Sequence, residues 1–231
     1  MTKSFEELIR AFASTPESYT LGSSREEYHT PEVSYELFLR WMKMQDIDAA
    51  QCIANIVDVM NRSSTTGKVN SVAFIGPAKS GKTAMITAPL QTLTINNGLV
   101  NSAFLLRRCI GRRAIYMDDC YVGPEHVDEL RLLLAGESLR VIVRRQDPGT
   151  ITRTPVFITG RRDPWLTNRG GRDEEALLGR MYRYSVKAET ERLLTDGRRI
   201  HPGMWHYALQ QYGQAGRTEL LPLSALTPYP G

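Results

Sequence analysis

Val69-Asn70-Ser71-Val72-Ala73-Phe74-Ile75-Gly76-Pro77-Ala78-Lys79-Ser80-Gly81-Lys82-Thr83 is the stretch on which the reading of this chain turns. Ser71 to Ile75 is a short apolar run of strand type, and it leads directly into Gly76 to Thr83, which fits the pattern G-x-x-x-x-G-K-[ST]. Glycines let such a loop fold tightly enough for successive backbone N–H groups to point inward at phosphate oxygens, and the helix that follows adds its positive N-terminal end. On this pattern Gly76, Pro77, Ala78, Lys79, Ser80, Gly81, Lys82 and Thr83 form a phosphate cradle. Lys82 is placed to reach the β- and γ-phosphates, and the Thr83 hydroxyl to hold Mg2+. The plain alternative is a Gly-Lys surface turn. A strand before the loop and the helix-compatible Ala84-Met85-Ile86-Thr87-Ala88-Pro89-Leu90 after it argue for the cradle.

Composition narrows the setting. At 231 residues, with 42% hydrophobic and 23% charged, the chain can bury one good core, and disorder throughout is excluded. No apolar run approaches a membrane span, and the start Met1-Thr2-Lys3-Ser4-Phe5-Glu6 lacks the apolar core of a signal peptide, so an intracellular protein without a membrane partner is expected. Cys52, Cys109 and Cys120 are scattered and odd in number, which argues against a disulfide framework and offers no paired-cysteine metal site. His201 and His206 are five apart, a spacing that does not place two ligands on one helix face. The net charge of +4 is unevenly spread: through Asp48 there are five Lys/Arg against nine Asp/Glu, so the remainder carries +8. The positive charge lies with the phosphate loop, although a basic balance alone is weak support for nucleic-acid binding.

Along the chain, Ser4 to Phe12 has capping-box spacing and helical apolar periodicity, and residues 14–30 turn polar. Residues 1–29 thus read as a helix and linker. Thr30-Pro31-Glu32 then opens a helix, with Thr30 as cap and Pro31 at the first helical position, and Leu37, Phe38, Trp41 and Met42 as a core-packing stripe. Asp46 or Asp48 opens a third helix that ends in a polar turn at 63–67, so 30–66 reads as a helical region. Beyond it, apolar runs at 103–106, 113–117, 139–143, 155–159 and 181–186 alternate with helical stretches, one of them opened by Gly123-Pro124. This alternation predicts an α/β fold around a covered, mainly parallel sheet over 67–200, with a C-terminal helix and irregular tail over 201–231.

Three further elements carry chemistry. Arg113-Ala114-Ile115-Tyr116-Met117-Asp118-Asp119 is an apolar strand ending in two carboxylates, expected beside the phosphate-loop strand with its acids at the carboxyl edge. One carboxylate there can orient Mg2+ or its waters, and the other can orient or deprotonate an attacking water. Leu139 to Arg153 holds two β-prone arms about Asp147-Pro148-Gly149, a hairpin with Arg140, Arg144 and Arg145 as candidate phosphate-backbone contacts. Thr154 to Arg161 makes another buried strand whose end, Thr159-Gly160-Arg161, is expected at the nucleotide edge. Finally Leu178 to Tyr184 sets Arg180 and Arg183 about the last strand, where an arginine can reach the γ-phosphate of a neighbouring subunit.

With these elements in order, the chain resembles the helicase domain of viral superfamily 3 replication proteins, most closely the parvovirus large non-structural (Rep-type) family. The resemblance covers roughly residues 70–188 and rests on Gly76 to Thr83, Ile115 to Asp119, Leu133 to Arg145, Thr154 to Gly160 and Leu177 to Tyr184. It implies an AAA+-like P-loop ATPase that uses ATP and Mg2+, assembles as a homo-oligomeric ring, usually hexameric, and moves on single-stranded DNA. By the same matching Lys82 and Thr83 bind phosphate and Mg2+, and Asp118 and Asp119 handle metal and water, Asp118 on the metal side. Arg144 or Arg145 sits on the DNA-tracking hairpin, Arg180 is the trans-acting arginine finger with Arg183 as its alternate, and residues 30–66 correspond to a small oligomerisation bundle. A host-nuclear location follows only from the family's DNA-replicating habit.

Three departures from the family pattern stand out. Its third motif usually ends Thr-Ser-Asn, the Asn positioning the lytic water, whereas this chain has Thr159-Gly160-Arg161, leaving Thr159 or Arg161 as the candidate sensor. Its second strand commonly carries a Glu, whereas here both acids are Asp. No His-hydrophobe-His nicking motif precedes Gly76, where Tyr28-His29 stands alone. The reading is therefore an ATP-dependent helicase or translocase in viral genome replication. Its rival is a nucleotide- and DNA-binding assembly or packaging factor with weak or no hydrolysis, and a small-acceptor phosphotransferase is the more distant alternative.

Overall fold

In the computed structural model the described residues are 28–61, 67–90, 106–111, 114–141, 149–165, 172–187, 197–201 and 203–214. The helix expected from Ser4, the hairpin tip with Arg144 and Arg145, residues 169–171 of the Arg/Gly loop and the tail lie outside them.

Two helices come first. α1 spans Pro31–Met44 and is capped as its sequence requires: the Val33 N–H donates to Thr30 Oγ1 at 3.3 Å, and Pro31 occupies the first turn, where its missing N–H costs nothing. α2 spans Ala49–Asn61, and of the two candidate caps Asp48 does the work, its Oδ1 accepting the Gln51 N–H at 3.0 Å. Asp46 instead takes a left-handed backbone (φ 55°) in the turn between the helices.

The sheet follows. β1 (Ser71–Ile75) is buried along its whole length, α3 (Lys82–Leu90) leaves the phosphate loop, and β2 (Ile115–Asp118) carries the acids. A 3-10 turn at Pro124–His126 runs into α4 (Val127–Ala135), which ends on a left-handed Gly136. β3 (Leu139–Val141) and β4 (Gly149–Ile151) form the antiparallel hairpin, β5 (Val156–Gly160) is fully buried, α5 spans Arg172–Leu178, β6 spans Met181–Ser185 and α6 spans Met204–Gln214. Of the apolar run at 103–106, the described part belongs to a 3-10 turn, Leu106–Cys109, rather than a strand.

β2, β5, β1 and β6 pair in that order, all parallel, so their carboxyl ends share one edge. This corrects one expectation: β2 does not lie next to β1. β5 occupies the slot between them, with Phe74 opposite Thr159 on one side and Asp118 opposite Thr159 on the other. Neighbour order follows from how the crossovers pass over the sheet, which local sequence pattern does not encode.

Each sheet face has its own core. Val72, Phe74, Tyr116 and Phe157 point to one side and pack with α1, α2 and α6, while Ala73, Ile75, Ile115, Met117 and Ile158 point to the other and pack with α4 and the hairpin base. The strands therefore read as continuous apolar runs, as a sheet covered on both faces requires. The boundaries expected at 66/67 and 200/201 do not divide these cores. Phe38 and Trp41 of α1, Ile53 and Ile56 of α2, and Met204 and Trp205 of α6 are buried in one cluster with Val72 and Phe74. Phe38 meets Trp205 edge to face at 5.3 Å. The physical reason is that α1 packs chiefly against α6 and α2 against β1, so all three helices close over one face of the sheet.

Trp205 is a direct test of this shared core. Trp205→Ala is expected to cost about 3–5 kcal/mol, and chemical unfolding followed by far-ultraviolet circular dichroism should keep a single transition. A separate early transition in the variant would show α6 to be an independent unit.

Candidate nucleotide site

The loop after β1 is held from both sides. Gly76 donates to Gly160 O at 2.9 Å, and Val186 donates to Ile75 O at 2.7 Å. A Cβ on Gly76 would lie 1.9 Å from Val186 O, so only glycine lets the chain leave β1 this close to the end of β6. Ser80 Oγ donates to Pro77 O at 2.9 Å, and the buried indole N–H of Trp41 donates to Ser80 O at 2.7 Å. Lys79 adopts a left-handed backbone (φ 62°), the kind of strained position that a surrounding bond network must hold.

Lys82 is buried, and its ammonium donates to Pro77 O at 2.7 Å. Burial pulls its pKa below the ordinary lysine value, and the charges of Asp119 and Asp118 oppose that shift. The lysine thus sits within the field of both acids, folded back on its own loop.

β2 and β5 together position Asp118. Its Oδ1 accepts from Thr159 Oγ1 at 2.6 Å and from Thr83 Oγ1 at 3.3 Å, and the Tyr116 hydroxyl lies 2.5 Å from Thr159 Oγ1. An ionised carboxylate only accepts, so the single Thr159 hydrogen goes to Asp118 and Tyr116 must donate to Thr159. Burial raises the Tyr116 pKa, which keeps that donor in place. Thr159 is fully buried with its donor spent, so of the two sensor candidates it is not the one that can face a water. Its work is to hold Asp118. Thr83 and Asp118 bring two hard oxygen donors together, a set that suits Mg2+.

Asp119, with a left-handed backbone (φ 45°), turns out of the strand and is half-exposed. Its Oδ1 accepts the Arg161 N–H at 3.0 Å and its Oδ2 the Arg161 Nε–H at 3.1 Å. The backbone N–H is the main reason its carboxyl is held below the ordinary carboxylate value; desolvation opposes this, and the Arg161 guanidinium adds to it. Gly160 lets the backbone turn tightly here, because a Cβ there would lie 2.9 Å from Arg162 O.

The late arginines separate. Arg180 precedes Met181, which pairs with Ser71 at the amino-terminal edge of the sheet, about 16 Å of strand from the loop at the other edge. It does not reach the phosphate loop of its own subunit. Its guanidinium donates to Ala176 O, while its buried Nε has no partner. Arg183 is tied to Asp163 by two bonds, of 2.9 and 3.1 Å, and to Ser185 at 3.1 Å. On the hairpin, Arg140 lies opposite Thr150 and both are exposed, whereas Arg144 and Arg145 fall outside the described residues. His201 is half-buried and accepts from Gly203 N at 2.9 Å, and among the described residues no group of three or more His, Cys, Asp or Glu side chains comes together as a metal site. Two contributors escaped the sequence reading: Trp41, placed in a packing stripe, and Tyr116, read as strand filling. The available signal was that a buried indole N–H or phenol needs a partner.

A glycine-bearing loop between β1 and α3, with acids one strand removed on a parallel sheet, defines a P-loop NTPase-like fold. Residues 10–199 match the sequence model of the family described as Parvovirus non-structural protein NS1, and the chain belongs to that family. It is 31% identical over 99 residues to the Initiator protein NS1 of Human bocavirus 3, covering 42% of this chain and 13% of that protein. It is 28% identical over 149 residues to the Initiator protein NS1 of Bombyx mori densovirus, covering 63% of this chain and 16% of that protein. The chain therefore spans about a sixth or less of the length of these relatives. A crystal structure of JCV helicase bound to a small molecule superimposes with a TM-score of 0.54 at 16% identity, covering 78% of this chain and 55% of that one, which shows a shared fold.

The Asp119 contact yields a pH prediction. Because its folded pKa is lowered, the stability it contributes is present above the ordinary carboxylate value and is lost as pH falls through the lowered one. Carboxyl carbon-13 titration should find Asp119 below the ordinary aspartate value. Arg161→Ala should move it upward only part of the way, because the backbone bond stays. An Asp119 titrating at the ordinary value in the wild type would contradict the geometry.

Proposed function

We propose that this part of the chain is an ATP-hydrolysing motor that acts on single-stranded DNA in viral genome replication, working as a homo-oligomeric ring, hexameric by family habit, in the host nucleus. The observation that carries the reading is the convergence of Lys82, Thr83, Asp118, Asp119 and Arg161 at one carboxyl edge, with Asp118 fixed by Thr159 and Tyr116. Membership of a family of replication initiators supports it.

The chemistry follows from those positions. Arriving phosphates take the place of Pro77 O as the partner of Lys82, and the loop N–H groups receive the remaining oxygens. Thr83 and Asp118 would hold Mg2+, which when bound neutralises charge on the β- and γ-oxygens. A water attacks the γ-phosphorus in line, a P–O bond forms as the bond to the β-bridging oxygen breaks, and Asp119 accepts the water's proton while ADP leaves. Asp119 must first be released by Arg161, whose guanidinium is drawn to the more highly charged γ-phosphate. Arg180, at the far edge of its own sheet, serves the site of a neighbouring subunit. The exposed Arg140 and the hairpin arginines Arg144 and Arg145 contact the DNA backbone without reading bases.

A second reading, a nucleotide- and DNA-binding assembly or packaging factor without turnover, is favoured by the same clamp: a base with a lowered pKa, tied to an arginine, is a poor proton acceptor.

Steady-state ATP hydrolysis across a protein concentration series, with and without single-stranded DNA, separates the two. The motor reading expects turnover per subunit to rise with concentration and again with DNA, and Lys82→Ala to abolish it. Binding without hydrolysis under every condition would replace it with the assembly-factor reading. Arg180→Ala should keep nucleotide binding and lose turnover by 10²-fold or more, on the order of the loss when a charge-stabilising donor is removed. Normal hydrolysis in that variant would sink the trans role.

A further inference from the structure

We propose that Trp41, on α1 and well outside the phosphate-loop motif, is a positioning residue for the nucleotide cradle. The proposal rests on the nucleotide-binding reading of that loop. The indole N–H donates to Ser80 O at 2.7 Å, and both residues are completely buried. A trans peptide is planar, with its C=O and N–H pointing in opposite directions, and no described residue has a cis peptide. Drawing the Ser80 carbonyl into the core therefore turns the Gly81 N–H away from the core, towards the open side of the loop where a phosphate oxygen would sit. One side-chain bond thus fixes the direction of a backbone donor.

The tryptophan is itself immobilised. It stacks on Phe38 at 6.2 Å and lies against Phe74 of β1 at 5.8 Å, while Phe38 is buttressed by Trp205 of α6. The ring has no alternative place to go, so the N–H is held on target before any ligand arrives. An indole N–H only donates, and a buried one finds a partner, so among loop carbonyls the choice of Ser80 O is a feature of the site. The inference makes α1 part of the nucleotide-binding apparatus as well as a cover for the sheet.

The cleanest test removes the N–H and nothing else. β-(3-Benzothienyl)alanine, installed at position 41, keeps the shape of the ring and replaces the N–H by sulfur, and Trp41→Phe serves as a second variant. Calorimetric titration with ADP and Mg2+ should show affinity weakened about fivefold in both, the ratio that corresponds to one net neutral hydrogen bond. In the wild type the indole 1H–15N resonance of Trp41, identified by its loss in Trp41→Phe, should shift when ADP binds. A bond that only supports the fold would lower the melting point without nucleotide and leave both the affinity and the resonance position unmoved, which overturns the proposal. If wild-type protein and Lys82→Ala bind ADP equally, the nucleotide reading fails and this inference falls with it.

Discussion

The placement of β5 between β1 and β2 is the constraint on which the rest of the site depends. Because β5 pairs in parallel with both, Thr159 stands opposite Phe74 on one side and Asp118 on the other. Its hydroxyl then links Tyr116 to Asp118, and the next residues carry Arg161 to Asp119. A strand buried on both faces and both edges has little freedom to shift, so its terminal side chains are held as firmly as core residues are. The acids themselves sit on β2, but their geometry is set from β5.

The two cores divide the labour. One face of the sheet carries α1, α2 and α6, and through Trp41 that face reaches the phosphate loop. The other carries α4 and the base of the hairpin. They meet at Asn70, the residue before β1. Its side-chain amide donates to Leu133 O at 3.2 Å and Thr154 O at 2.7 Å, and its backbone N–H reaches Leu134 O and Arg180 O. A buried amide satisfied by α4, the β4–β5 link and the turn before β6 fixes the amino-terminal edge, opposite the one that carries the phosphate loop. The edge that carries Arg180 is thereby organised independently of the edge that carries Lys82.

Much of this was legible in the sequence because the signals were local. Pro31 after Thr30, a five-residue apolar run ahead of Gly76, and an apolar run ending in Asp118-Asp119 each state their structure through nearest neighbours. The P-loop NTPase-like fold and the family followed from those elements and their order. Strand order was not legible, because the crossover that leaves a slot for β5 is a decision of the whole chain. Nor was the division between Thr159 and Arg161, which depends on counting hydrogens across two strands. Trp41 illustrates the remaining gap: a residue at helical spacing in an apolar stripe is a packing residue by every sequence criterion. Only the position of α1 over the loop reveals that its N–H has a second task.

The two substitutions at the acid edge meet at one point and are best understood together. Where the family commonly has a glutamate and usually Thr-Ser-Asn, this chain has Asp119 and Thr159-Gly160-Arg161. Aspartate is one methylene shorter, and Asp119 compensates by turning out of the strand through a left-handed backbone while its N–H stays bonded to Thr159 O at 2.7 Å. That turn brings the carboxylate against the Arg161 N–H. A side chain at position 160 would crowd Arg162 O. The guanidinium then supplies a positive charge where an asparagine supplies only a dipole. Such a charge holds the acid here, and on the proposed function it would be drawn to a γ-phosphate when nucleotide binds. On the function proposed above, the pair would couple occupancy of the cradle to the freedom of Asp119, a dependence that a neutral side chain creates far more weakly.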